Sequence, residues 1–504
     1  MLSQLTAQLN TISLTPQSTP TVNDALHAPL VALTEPIVSE LIKRFPEQVF
    51  EEHHPRYKAL QNSYWSGYQK TLKPRCFFQP HSAKELGEAV ALCAKERCPF
   101  NVKSGGHGHF AGQSSIEGGI QFDLVKLDTF KIKRDEGTVL VGPGNTWGSV
   151  YQRLEKEGLI VVGGRSYNVG VGGYLVGGGI SFYAARHGWG IDNVRSFEIV
   201  LADGRVVTAS SKSELKLYRA LRGGGSNFGI ITTFELEAYP YNRFWGGRTM
   251  IDSSHARQAI AAYEGFVNRQ EEDPKGHTIF IATYDEGPLR LIQYMVYTEP
   301  QADLPLFDEL RKVPTIESSL GMTDYTTMAE NIAGLQDGVG YRAAIATLTI
   351  KLDQDLLNFA YDVFVEEASP QSKHINSTME FHAIPRTTNP AGNMFGLEGA
   401  DGPLISFLLI FVTSDANYDN EVTRMQQTII RRVEEEARKR QLYHPFLFPN
   451  YSAQWQNVFD SFGEASRRYL TEVANVYDPQ RVFQRLQHGS FKVSSPSRVR
   501  DAKV

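Results

Sequence analysis

Between Pro74 and Tyr239 the apolar positions switch back and forth between a helical and a strand-like period. Leu86, Ala89, Val90 and Cys93 recur at helical spacing behind Ser82-Ala83-Lys84-Glu85. That tetrad reads as a capping box, in which the serine side chain takes an orphan N–H and the glutamate reaches back. The helix is expected to run to about Arg97 with Cys93 in the core. Residues 99–102 read as a short strand that delivers the chain into Gly105-Gly106. A second strand over 138–141 precedes a helix over 147–156, stopped by Gly158. Residues 197–201 and 206–208 flank Asp203-Gly204, a favoured hairpin dipeptide. Residues 230–239 alternate apolar and polar and end at Pro240.

Pro240, Asn242 and the pair Gly246-Gly247 interrupt the pattern, so a boundary is expected near 239–247. Longer elements follow: strands over 277–284, 289–297, 341–352, 374–384 and 404–412, and helices over 256–269, 356–367 and 420–441. Strands with one alternating face, separated by helices, predict a sheet covered on one side. Residues 1–50 read as helical and peripheral, and the polar tail after Lys492 as loose. No internal repeat is seen. The chain is therefore of the α+β class.

The chain has 504 residues, 41% hydrophobic and 21% charged, with a net charge of −5. This is ordinary globular composition with room for two or three domains. No block of Lys or Arg forms a phosphate-tracking stripe, which argues against a nucleic-acid partner. The sign-alternating run 431–440 reads as a solvated helix face with i,i+4 pairs. Cys76, Cys93 and Cys98 are too few for a disulfide framework and match no zinc spacing, so no metal is expected. The first 21 residues lack the charge and apolar core of a signal peptide, and no apolar run has bilayer-spanning length. An intracellular, cytoplasmic protein without a membrane partner is expected. The glycosylation patterns at Asn376 and Asn450 then read as chance matches.

Four glycine turns stand out: Ser104-Gly105-Gly106-His107-Gly108, Val169-Gly170-Val171-Gly172-Gly173, Gly177-Gly178-Gly179, and Leu221-Arg222-Gly223-Gly224-Gly225-Ser226-Asn227-Phe228-Gly229. Turns of this kind let backbone N–H groups approach a charged ligand and form anion sites. Four together, with an imidazole in the first, point to a long folded ligand carrying a pyrophosphate. The dinucleotide fingerprint fails on glycine spacing, and no glycine precedes Lys and Ser/Thr as a Walker loop requires.

In this order and spacing the motifs are similar to those of the FAD-linked oxidases of the vanillyl-alcohol oxidase class. The chain resembles specifically the berberine-bridge-enzyme-like branch. Further marks are Pro80-His81-Ser82, Ile230-Ile231-Thr232, Asn450-Tyr451, Tyr477-Asp478-Pro479 and Val482-Phe483, so that the match covers 65–492. The resemblance implies an FAD-binding domain in two parts and a substrate domain of antiparallel sheet backed by helices. It divides the chain into an N-terminal region and FAD domain (1–245, core about 74–240), a substrate domain (246–445), a C-terminal segment returning to the flavin site (446–492) and a tail (493–504).

The same resemblance implies cofactor contacts at Ser104, Gly105, Gly106, Gly108, Val169, Gly170, Gly172, Gly173, Gly177, Gly225, Asn227, Gly229, Ile231 and Asn450, with Gln487 nearby. His107 matches the histidine that bonds covalently to the flavin 8α-methyl group, and His109 is a second candidate. Many relatives add a cysteinyl link where this chain has Ser166, so a single covalent link is expected. Val169 matches the position that gates O2. Tyr451 matches an active-site tyrosine that serves several relatives as base, which requires a depressed pKa or a partner base. Glu380 and His382 share one face of a strand; either is that partner, or both are ordinary exposed polar residues. Relatives oxidise sugars, alkaloids, polyketides and terpenoids. The leading expectation is an oxidase that passes hydride from an alcohol or activated C–H of a specialised metabolite to flavin N5, with O2 reoxidation. The alternatives are a redox-neutral acid/base or cyclisation catalyst retaining FAD, and a non-catalytic small-molecule binder.

Overall fold

The computed structural model describes residues 24–285, 287–302, 304–334, 341–387 and 392–494. The first 23 residues and 495–504, part of the expected tail, lie outside them. A helix spans Asp24–Arg44. The strands Val49–Glu51, Cys76–Phe78, Ile120–Asp123 and Phe100–Lys103 then form a small sheet in that spatial order, the first pairing antiparallel and the others parallel. The Ala83–Glu96 helix covers it, burying Leu86, Ala89, Val90 and Cys93. Its cap departs slightly from the expected box: Ser82 accepts from the Glu85 amide at 3.2 Å, but Glu85 reaches one residue further, to the His81 amide at 2.7 Å.

A second, five-stranded antiparallel sheet runs Phe130–Lys133, Thr138–Val141, Ile230–Glu237, Val194–Val200, Val206–Ser210. The third sheet is the largest among the described residues, which give it nine strands, all antiparallel. Its centre is ordered Arg290–Tyr297, Gly276–Tyr284, Asn376–Ala383, Leu404–Thr413, Arg342–Lys351. Alternation along these strands separates two faces. Phe280, Phe381, Phe407 and Leu409 point into a core shared with the helices Ala256–Arg269, Gln354–Ala368 and Asp419–Lys439. Ile279, Ile281, Glu380, His382, Leu408 and Ile410 point the other way, into a cavity. The α+β class and the sheet backed by helices are as the sequence predicts.

The chain passes from the second sheet to the third within 239–247, with 241–243 outside any strand, but the paired glycines do not interrupt the pattern as expected. Phe244–Asp252 is a nine-residue strand running through both glycines and pairing with Arg290–Tyr297. The pair answers to close packing: a Cβ on Gly247, whose φ is +153°, would lie 2.5 Å from the Ser319 carbonyl oxygen. The end of the chain also differs. Val493, assigned to the loose tail, is buried and its amide donates to Asn227 Oδ1 at 3.2 Å. Before it, Phe100 and His488 exchange backbone bonds with Leu486 and Phe100, returning the chain to the first sheet. Along the Asp419–Lys439 helix the expected i,i+4 pairs are present, Arg431 with Glu435, Arg438 with Glu434 and Arg440 with Glu436.

Candidate active site

A cavity of about 680 Å³ lies between the glycine turns and the free face of the large sheet. Its floor depends on backbone contact that side chains would prevent. A Cβ on Gly105 would fall 2.5 Å from the Gly170 Cα, and one on Gly170 equally close to Gly105, so the first two turns touch main chain to main chain. Ser104 fixes the contact, donating to the Pro143 carbonyl at 2.5 Å and accepting from the Gly172 amide at 3.2 Å. Asn450 ties in the third turn: its Oδ1 accepts from Gly179 N at 3.1 Å and its Nδ2 donates to Gly173 O at 3.2 Å. The fourth turn is anchored from behind by a fully buried pair, Arg222 with Asp192 at 3.0 Å.

Ser104, Gly105, Gly106, His107, Gly108, Val169, Gly170, Gly172, Gly173, Gly177, Gly225, Gly229, Ile231, Asn450 and Gln487 all line the cavity. Asn227 does not. It is buried behind the fourth turn, donating to the Gly224 and Phe491 carbonyls and accepting from Gln484 and Val493. Its polarity serves to hold the returning C-terminal segment. Both glycosylation-pattern asparagines, Asn376 and Asn450, also line the cavity.

The His107 ring stacks on Trp65, centroids 4.3 Å apart and planes 12° from parallel, while the Trp65 amide donates to the Gly106 carbonyl. Burial holds the His107 pKa down at about 4, so its imidazole is neutral near pH 7. His109 is more deeply buried and pushed down to about 3. Ser166 lines the cavity, whereas the three cysteines are buried elsewhere and unpaired.

On the sheet side, Arg165 gathers the polar groups. Its Nη2 donates to the Tyr451 hydroxyl at 2.7 Å, and its Nη1 approaches His382 Nδ1 at 3.1 Å and His277 Nε2 at 3.3 Å. An arginine only donates, so both histidines accept with those nitrogens. His382 therefore carries its proton on Nε2 and donates it to Glu380 Oε2 at 2.6 Å. Burial, reinforced by the Arg165 charge, lowers both histidine pKa values and keeps them neutral. The expectation for Tyr451 needs correcting. Burial raises its pKa, with Arg165 acting in the opposite direction, and neither Glu380 nor His382 bonds to it directly. The partner is Arg165, which sequence reasoning passed over although a cation in the apolar run Val161-Val162-Gly163-Gly164-Arg165 was itself a signal.

Several buried polar atoms lining the cavity have no partner within the protein among the described residues: Ser114 Oγ, Ser166 Oγ, the Tyr174 hydroxyl and Gln487 Oε1. Buried polar groups are normally satisfied. A glycine-floored trough edged by unsatisfied hydroxyl and amide groups suits a polar, ring-bearing cofactor such as FAD. No group of three or more His, Cys, Asp or Glu able to hold a metal occurs among the described residues, and none of their helices is long and apolar enough to cross a membrane.

Residues 74–210 match a family described as an FAD binding domain. The FAD-dependent monooxygenase tpcD of Cochliobolus heterostrophus is 30% identical over 470 residues, covering 88% of this chain and 90% of that protein. Among solved structures, the BBE-like 1 protein of Physcomitrella patens superposes with a TM-score of 0.72 at 17% identity, covering 89% of this chain and 98% of that one. A glucooligosaccharide oxidase of Acremonium strictum, described with a 6-S-cysteinyl, 8α-N1-histidyl FAD, gives 0.72 at 16% identity, covering 90% and 98%. The chain thus shares the fold of the berberine-bridge-enzyme-like proteins, and it belongs to the family of FAD-dependent oxidoreductases that includes the Cochliobolus heterostrophus protein.

Proposed function

We propose that the protein is an oxidase of a small specialised metabolite, removing hydride from an alcohol carbon or an activated C–H bond and delivering electrons to O2. The cofactor would be held by the backbone of the 104–108, 169–173, 177 and 225–231 turns with Asn450, and tethered once, through His107. When bound there, FAD supplies the two-electron acceptor that no side chain provides.

The observation that carries the reading is the Arg165–Tyr451 hydrogen bond at the cavity wall. Because Arg165 occupies an acceptor position on the phenol oxygen, the Tyr451 proton is directed elsewhere. The guanidinium also places positive charge beside the oxygen where negative charge forms when that proton leaves, so Tyr451 can exchange a proton with a substrate hydroxyl. His382 bridges Glu380 and Arg165, donating from Nε2 to the carboxyl group and accepting from the guanidinium at Nδ1. Glu380 and His382 thereby hold Arg165 in place against Tyr451. His107, neutral and stacked on Trp65, lines the cavity and carries a nucleophilic imidazole there. The histidyl linkage named for the Acremonium strictum enzyme supports that assignment. Ser166 supplies no thiol for a second link.

The test needs no substrate. Holoprotein reduced anaerobically with light and then exposed to O2 should return to the oxidised spectrum within seconds and release one peroxide per flavin. Reoxidation without peroxide, or over many minutes, would overturn the oxidase reading. The name of the Cochliobolus heterostrophus relative favours a second reading, insertion of one oxygen atom. Label from ¹⁸O₂ in the product distinguishes it.

A further inference from the structure

The free face of the large sheet forms a two-dimensional grid whose rows follow the strand register. Opposite Glu380 stand Ile281 on one side and Leu408 on the other, with Ile292 beyond Ile281. One row further, Ile410 lies opposite Thr378 and Ile345 lies beyond it. All five aliphatic side chains line the cavity. The polar residues on this outer part are paired with one another, Thr283 with Thr378 at 2.8 Å and Asn376 with Asp285 at 2.9 Å. The cluster of Arg165, Tyr451, His382 and Glu380 therefore lies at one end, and the wall leading away from it combines these five branched aliphatic side chains with two polar pairs that bond to each other.

We propose that the cavity selects an elongated, largely hydrocarbon molecule with one hydroxyl or carbonyl oxygen at its reacting end, and rejects oligosaccharides. The proposal rests on the oxidase reading for which end reacts, and extends it to substrate class. A sugar ring laid along this wall would bury several hydroxyls against isoleucine and leucine, and each unmatched hydroxyl costs binding. An alkyl chain laid there removes apolar surface on both partners. Each fully buried methylene then strengthens binding by about fourfold.

Holoprotein titrated with 4-methylphenol, 4-butylphenol, 4-hexylphenol and cellobiose, followed by perturbation of the flavin spectrum, tests the assignment. Kd should fall at least about tenfold from the methyl to the butyl compound and again to the hexyl, with cellobiose giving no perturbation at millimolar concentration. Ile410→Asn, at a half-buried wall position, should retain its flavin and lose most of the chain-length dependence. A flat series in the wild-type protein, or cellobiose binding as tightly as butylphenol, overturns the proposal whatever the variant does. A protein that takes up no flavin, or whose reduced flavin yields no peroxide, fails the oxidase reading instead, so the two failures are separately visible.

Discussion

Arg165 and Tyr451, 286 positions apart in the chain, are joined by a 2.7 Å hydrogen bond at the wall of the cavity. Burial raises the Tyr451 pKa and the Arg165 charge opposes that rise. Tyr451→Phe should slow anaerobic flavin reduction by substrate roughly 10²- to 10⁴-fold with cofactor content unchanged. Arg165→Met should move the pH dependence of the same step to higher pH, because the opposing charge is gone, and Arg165→Lys should restore part of the shift. An unchanged profile in Arg165→Met would show that Arg165 packs the site without setting the ionisation of Tyr451.

His107 is gripped twice, by its stack on Trp65 and by the Trp65 amide on the Gly106 carbonyl. Yellow colour should therefore stay in the pellet when wild-type protein is precipitated with acid, and His107→Ala should release it to the supernatant. Trp65→Ala keeps the nucleophile but frees its ring, so a mixture of attached and released flavin is expected, with the attached fraction rising on longer incubation. Attachment that survives in His107→Ala would pass the assignment to His109.

The elements of the large sheet were legible because each buries one alternating face under helices with an unbroken apolar stripe. Asn376–Ala383 and Leu404–Thr413 fall within two residues of their expected ends. The strand Phe244–Asp252 was not, because Gly246 and Gly247 read as an interruption of the pattern until the neighbouring Ser319 backbone is seen against them. At the site, the glycine turns were readable because backbone approach demands one residue type. The Arg165 cluster was not, since it joins residues 112 to 286 positions apart and no local pattern encodes that meeting. Asn227 misled for a related reason: a polar residue within a ligand-like motif was read as a contact, while three of its partners, Phe491, Gln484 and Val493, lie more than 250 positions away.

Buried neutral histidines make the fold acid-sensitive. His109 has its pKa lowered from 6.5 to about 3 by burial, and His277 and His382 are lowered in the same direction. Below pH 6.5 the unfolded chain binds protons that the folded chain refuses, so stability falls as pH falls from 6.5 toward 3. His109 alone should cost about 2 kcal/mol at pH 5. Thermal unfolding followed from pH 8 to 4.5 should show Tm level above pH 7 and declining below 6.5, and His109→Asn should flatten the decline. A Tm that rises on acidification would contradict burial of these rings.

Val169 lines the cavity beside the glycine pair, and its carbonyl is held by the Trp147 amide at 3.0 Å. With the backbone pinned there and Gly170 pressed against Gly105, a larger side chain at 169 has no route of retreat except into the cavity. Val169→Leu adds one methylene to the space that O2 would cross in the proposed oxidase, and overpacking of about 1–3 kcal/mol corresponds to roughly fivefold to 150-fold slower passage. Reoxidation of light-reduced Val169→Leu protein should slow by that factor, while acid precipitation still shows the flavin attached. Val169→Ala should reoxidise at least as fast as wild type. The pair of variants separates access from chemistry: a leucine that slows reoxidation and an alanine that does not can be reconciled only by a steric gate at this position. Equal rates in all three proteins would place the route of O2 on another side of the cavity.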